Sequence, residues 1–221
     1  NQGYSARADH VTDARLCDEA IWLTRLLLSL YPGHSELDGL LCLMLFQASR
    51  LPARVSETGE VIPLPRQDRS LWQKSRIEEA STRLQHVLGR QQPGPFQTQA
   101  AIAALHCEAE SAASTDWPQI AALYALLEQQ APNPVVTLNR AVALGEAGEI
   151  SSGLVLLDGL QKATLDSYLP LLLARSRLAD LSGDLASASE HLQSAIDQTS
   201  NDAERRFLES QLLDLQARRS P

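Results

Sequence analysis

Two short triplets, Gly148-Glu149-Ile150 and Gly183-Asp184-Leu185, stand 35 residues apart, and each joins two stretches of helical apolar period. Asp116-Trp117 occupies the matching place one period earlier. A recurrence near 34 residues is the signature of helix–turn–helix units that cannot bury their apolar faces alone and stack so that neighbours cover them. The spacing predicts three such units, at about 95–130, 134–162 and 166–199. Residues 174–188 are the clearest instance. Pro118 and Pro134 fall at helix starts, where a missing N–H costs little. A last helix over 201–219, more polar on one side, fits the closing cap of such a stack.

Upstream of the repeats, the apolar positions Leu16, Ala20, Leu23, Leu27 and Leu30 keep helical period until Pro32-Gly33, predicting a first helix. Ser35 with Asp38 resembles a capping box opening a second helix to about Arg50. Residues 54–62 alternate around Thr58-Gly59 and read as a short β-hairpin lying against helices. Asp68 is a good N-cap for a helix over 69–88, with Leu71, Trp72, Ile77, Ala80, Leu84, Val87 and Leu88 as its buried stripe and Gly89 as its stop. After Gly94-Pro95, a helix bearing Ala100, Ala101, Ala103, Ala104 and Cys107 allows a neighbour to come close. The fold expected is all-α, a helical bundle at 1–93 followed by a tetratricopeptide-like α-solenoid at 94–221.

Charge narrows the function classes. The net charge is −8, and of the segments 1–65, 66–90, 91–170 and 171–221 only 66–90 is net basic, too small a stripe to hold nucleic acid through its phosphates. Cys17, Cys42 and Cys107 sit singly in apolar helical stretches, with no C-x-x-C pair, as reduced core residues of a cytoplasmic protein do. The apolar run 37–46 is too short to cross a bilayer. Opening at Asn1, with Met44 as its one methionine, the chain reads as a piece of a longer protein.

Residues able to carry chemistry are few. His106-Cys107 tempts one toward a nucleophile or a metal, but adjacent helical residues point about 100° apart and cannot readily grip one atom. No phosphate-cradling Gly loop, zinc-protease helix or serine elbow occurs. No catalysis, cofactor or metal is expected. Arg140 and Arg175 share the 35-residue offset of the turns, so a groove with Asn139 could hold an acidic peptide, as an adaptor would. Pairing with nearby acids such as Glu146 or Asp180 is the competing reading of both arginines, and the commoner fate of surface charge. For Trp22, Trp72 and Trp117, core packing is the plain reading.

Several stretches together carry a family resemblance. These are 1–6, 16–21, 40–45, Gln67-Asp68-Arg69-Ser70-Leu71-Trp72, 94–104 with Gln97 and Gln99, Thr115-Asp116-Trp117, and 138–143. Read together they resemble the C-terminal extension of a group of extracytoplasmic-function (ECF) RNA polymerase sigma factors whose tail carries tetratricopeptide-like repeats. The match runs over nearly the whole chain. It departs at Phe96, where the family often has Tyr, and at Gln73, where it often has Asp. The resemblance implies two further helical domains upstream that bind core polymerase and promoter DNA, and a tail that regulates or enables them in place of a separate anti-sigma protein. It also implies a YCII-related protein as a signal partner. Asp68, Arg69, Trp72, Gln97 and Gln99 carry over as motif positions.

Overall fold

A computed structural model describes residues 14–56, 61–163 and 168–219, with 161–163 and 203 described by backbone alone. The fold is all-α. Four α-helices lie in the first half: α1 (Ala14–Leu30), α2 (Ser35–Ser49), α3 (Lys74–Leu88) and α4 (Pro95–Glu108). Six follow: α5 (Trp117–Gln130), α6 (Pro134–Glu146), α7 (Ile150–Ala163), α8 (Leu169–Leu181), α9 (Leu185–Gln198) and α10 (Asp202–Arg219). None of the described helices is long and apolar enough to cross a membrane. The hairpin expected at 54–62 reduces to one antiparallel bridge, Val55 to Val61, with the Ile62 N–H donating to the Arg54 carbonyl at 2.8 Å. Its Thr58-Gly59 turn lies outside the described residues.

The chain divides into two compact units between Asp116 and Trp117, later than the boundary read at 93/94. In the first unit α2 is central, packing on α1, α3 and α4. Phe46, Leu41 and Cys42 on α2 are fully buried, against Ala100, Ala103 and Ala104 on α4. Gly39 makes the approach possible: a Cβ there would fall 2.7 Å from the Gln97 backbone nitrogen. The small side chains of α4 therefore do what their size predicts.

Three local expectations in this unit are corrected. The helix expected over 69–88 begins at Lys74, and Asp68 instead caps a single 3-10 turn, Arg69–Leu71. Trp72 is extended, and the next N–H, that of Gln73, donates to the Ser49 carbonyl at 2.9 Å. That bond takes the backbone out of the helix and turns the indole inward: Trp72 is 4% exposed and Leu71 51%. The Ser35/Asp38 capping box does not form. His34 caps α2, its Nδ1 accepting from the Leu37 N–H, while Asp38 is buried and pairs with arginines of the following segment. Finally, Trp22, read as core, is 64% exposed, because α1 buries the face of Cys17, Ile21 and Thr24 instead. Ion pairs from Asp18 to Arg76 and from Arg25 to Glu79 tie one flank of α1 to α3.

In the second unit each helix packs on the next, and α6 also packs on α8, the pattern of stacked helical hairpins. Gly148 and Gly183 have φ of +89° and +82°, where a side chain would be strained. After each, an N–H closes a six-residue C-terminal loop, Glu149 onto the Leu144 carbonyl and Asp184 onto the Ala179 carbonyl, at 2.8 and 2.9 Å. The two turns are thus alike in bonding as well as in spacing. α8 joins two apolar clusters: Leu171, Ala174 and Leu178 belong to one with Leu138 and Leu157, and Leu172 to another with Leu192, Ile196 and Leu208. The first expected repeat, 95–130, spans the division, with α4 in the first unit and α5 in the second.

Candidate functional site

The two motif stretches meet around α4. Pro95 sits in the first turn of this helix, and its unpaired N–H groups are met by a residue far away in sequence, Glu36 in the first turn of α2. Glu36 Oε2 accepts from the Phe96 N–H at 2.9 Å, and Oε1 accepts from the Gln97 N–H at 3.3 Å and from Gln97 Nε2 at 3.0 Å. Gln97 is fully buried and its Nε2 also donates to the Gln92 carbonyl at 2.7 Å. Gln99 turns back on its own helix, donating to the Pro95 carbonyl at 3.2 Å.

At the other end of α4, Arg69 Nη1 donates to the carbonyls of His106 and Ala109, at 2.7 and 2.8 Å. The guanidinium lies 4.4 Å from the centre of the Trp72 ring. Asp68 holds the turn that aims Arg69, its Oδ1 accepting from the Ser70 N–H at 2.8 Å. A carboxylate on free N–H groups and a guanidinium on free carbonyls are the signs that a helix dipole favours at its two ends. Each also satisfies backbone groups the helix cannot pair internally. All five motif positions therefore act on or beside α4: Arg69 and Gln97 by contact, Asp68 and Trp72 through Arg69, and Gln99 within the helix. Sequence reasoning missed Glu36. Nothing in its neighbourhood marks it as the cap of a helix 60 residues away.

Beside this lies a cleft of about 830 Å³, lined by Leu28, Pro32, Asp38, Glu78, Arg83 and His86 among others. Asp38 is the organising charge. Its oxygens accept from Arg83 Nη1 at 2.8 Å and from Arg90 Nη1 at 3.1 Å, and Arg90 Nη1 also donates to the Gly33 carbonyl. Breaking such a pair leaves a buried charge uncompensated, so the network ties α2 to α3 and to the turn before α2.

The surroundings of His106 and Cys107 favour the neutral form of each. Burial, helped by Arg50 and Arg69, pushes the imidazole pKa down to about 4, so it is neutral at pH 7. Burial pushes the Cys107 thiol up, and its Sγ lies 3.9 Å from the Phe46 carbonyl. Burial likewise raises the Cys42 thiol to about 12. A thiol held protonated is a weak nucleophile. Among the described residues no three His, Cys, Asp or Glu side chains are grouped to hold a metal ion.

In the second unit Asn139 is half-buried on α6, and the two repeat arginines are each met by a carboxylate. Arg140 Nη1 is 2.7 Å from Glu128 Oε2, and Arg175 Nη2 is 2.6 Å from Asp158 Oδ1. Burial alone would raise the Glu128 carboxyl, but the Thr137 hydroxyl and Arg140 donate to it and hold it below the usual range. The local pairing expected of these arginines is present with different partners. Glu146 and Asp180 pair with Arg177 instead, at 2.6 and 3.1 Å.

Comparison with known proteins gives relatives of unknown function. No solved structure matches the chain. Over 213 residues, 96% of this chain, it is 41% identical to an uncharacterized protein of Rhizobium meliloti (strain 1021), of which it spans about half the length, 50%. Residues 1–88 match DUF6596, a family of unknown function, so the part of the chain similar to that family ends with α3.

Proposed function

We propose that this chain is the regulatory C-terminal extension of an ECF-type RNA polymerase sigma factor, working in the cytoplasm and without catalysis of its own. It acts by protein–protein contact: with the sigma domains that precede it in the full protein, with core polymerase, or with a signal protein of the YCII-related kind. Promoter DNA is reached only through the upstream domains. The observation that carries this reading is the convergence of the two most specific stretches of the resemblance. Arg69, from the Gln67–Trp72 stretch, holds the C-terminal end of the helix that begins with the 94–104 stretch. Similarity to a protein about twice as long is in keeping with a part that serves a larger whole. The free-standing adaptor for acidic peptides is less favoured, because Arg140 and Arg175 already have carboxylate partners.

The test is promoter-dependent transcription by the full-length protein with core polymerase, with and without the residues beyond Ala6. Lost transcription from a truncated protein that still folds makes the extension an activating part. Raised transcription makes it inhibitory. A full-length protein that neither binds core polymerase nor supports initiation at any promoter sinks the proposal.

A further inference from the structure

The cleft formed by α3, the end of α1 and the turn after it carries opposite charge at its two ends. Toward the start of α3 stands Glu78, which has no ionic or hydrogen-bonding partner among the described residues, whereas its neighbour Glu79 is held by Arg25. Toward the end of α3 and just past it the balance reverses. Arg83 and Arg90 share the one carboxylate of Asp38, which leaves a positive charge in excess. Arg83 Nε is buried with no acceptor, and the His86 side chain has no partner among the described residues. A guanidinium has five N–H donors and an imidazole at least one, so this end has unused donors where the other has unused acceptors.

We propose that the cleft binds a short peptide of two or three residues with both termini free, its carboxylate on Arg83, His86 and Arg90 and its ammonium on Glu78. The inference goes beyond the proposed function and stands without it. Length follows from spacing. Glu78 lies five residues from Arg83 and eight from His86, about 7.5 and 12 Å along the helix at 1.5 Å per residue. An extended chain spans about 3.3–3.6 Å per residue, so two or three residues bridge that interval and a single amino acid does not. The Thr82 hydroxyl, also without a partner among the described residues, stands between the two ends where a peptide group would pass. The volume of about 830 Å³ is that of a small-ligand site. Asp38 offers the carboxylate little repulsion, because it is 6% exposed and both its oxygens are taken by the arginines. Glu78 selects against a polyphosphate or a nucleic-acid strand, which would carry negative charge along the whole cleft and meet this carboxylate.

Trialanine at millimolar concentration, titrated into the 15N-labelled chain, should shift the amide signals of α3 and Gly33. Acetylating its amine or amidating its carboxylate should each weaken binding about threefold to fivefold, as loss of an exposed ion pair does. Glu78→Gln should remove the penalty of acetylation and keep that of amidation, and His86→Ala should reduce the penalty of amidation alone. Both side chains are exposed, so far-UV circular dichroism should stay that of the wild type. Absence of shifts along α3, blocked peptides that bind as well as the free one, or inorganic phosphate that binds as tightly as trialanine overturns the proposal. So does a Glu78→Gln chain that still discriminates against the acetylated peptide. Should either variant lose its fold, the free and blocked peptides on the wild-type chain decide.

Discussion

α4 in the first unit and the two hairpins α6–α7 and α8–α9 in the second are all tightly packed, yet their helix ends are held by opposite means. The ends of α4 are satisfied from a distance, by Glu36 at one end and Arg69 at the other. The α6–α7 and α8–α9 hairpins are built from near neighbours: a glycine turn that closes on its own helix, and a cap such as Asp184, whose Oδ1 accepts from the Ser187 N–H three residues on. The contrast lies at the helix ends: in the first unit they are met by charged groups brought together by folding, whereas the second repeats a local turn and adds ion pairs such as Arg177–Glu146 between its helices.

The comparison predicts where damage should fall. The largest effect expected is Trp72→Ala, at roughly 3–5 kcal/mol for loss of a buried aromatic, read as a lower denaturation midpoint. Amide hydrogen exchange should rise in α2–α4 far more than in α6–α9, and a wild-type melting curve would remove Trp72 from the core. Next comes Arg69→Gln, which strips two carbonyls of their donor and the Trp72 ring of its cation. About 1.5–3 kcal/mol is expected, since these were hydrogen bonds to a charged group. Arg69→Lys should rescue little, because an ammonium cannot both fork and stack.

The second unit is probed at Gly153, where a Cβ would fall 2.6 Å from the Ala141 carbonyl oxygen and 2.8 Å from Leu178 Cδ2. Gly153→Ala should cost about 1–3 kcal/mol as overpacking, with exchange rising in α6–α8 and not in α4. If it opens α4 equally, the two units are not separately held. A double-mutant cycle on Arg140 and Glu128 should return only about 0.2–1 kcal/mol, as a partly exposed pair does. A much larger coupling would mean that this pair braces the second unit as Arg69 braces the first.

One prediction appears only in acid. His106 titrates near 4 in the folded chain and near 6.5 when unfolded, so between these values the unfolded state binds the extra proton. Stability is therefore unaffected at pH 7 and falls as the pH drops from about 6.5 toward 4. His106→Gln should flatten that limb of the stability–pH curve. An unchanged slope would show that the imidazole is not buried as a neutral group.

Much of the second unit was legible because its determinants are local. The 35-residue spacing, the turn glycines and Pro134 at a helix start recur in the structure, since each acts within a few residues of itself. In the first unit the small residues of α4 were legible for the same reason. Illegible were the partners: Asp38 reads as a capping residue and instead anchors Arg83 and Arg90, and Asp68 reads as the start of a long helix and instead caps one turn. The motif positions could be named from the resemblance, but their common work on α4 could not.

By itself the sequence determined that the chain is helical, where most helices begin and end, and that its second half repeats. Period, capping and glycine turns are encoded in residues that meet their own near neighbours. Only the tertiary structure decided which face of α1 turns inward, which half α4 belongs to, and which charges meet. Each of those outcomes depends on groups far apart in the chain, and no local pattern records which long-range pairing wins.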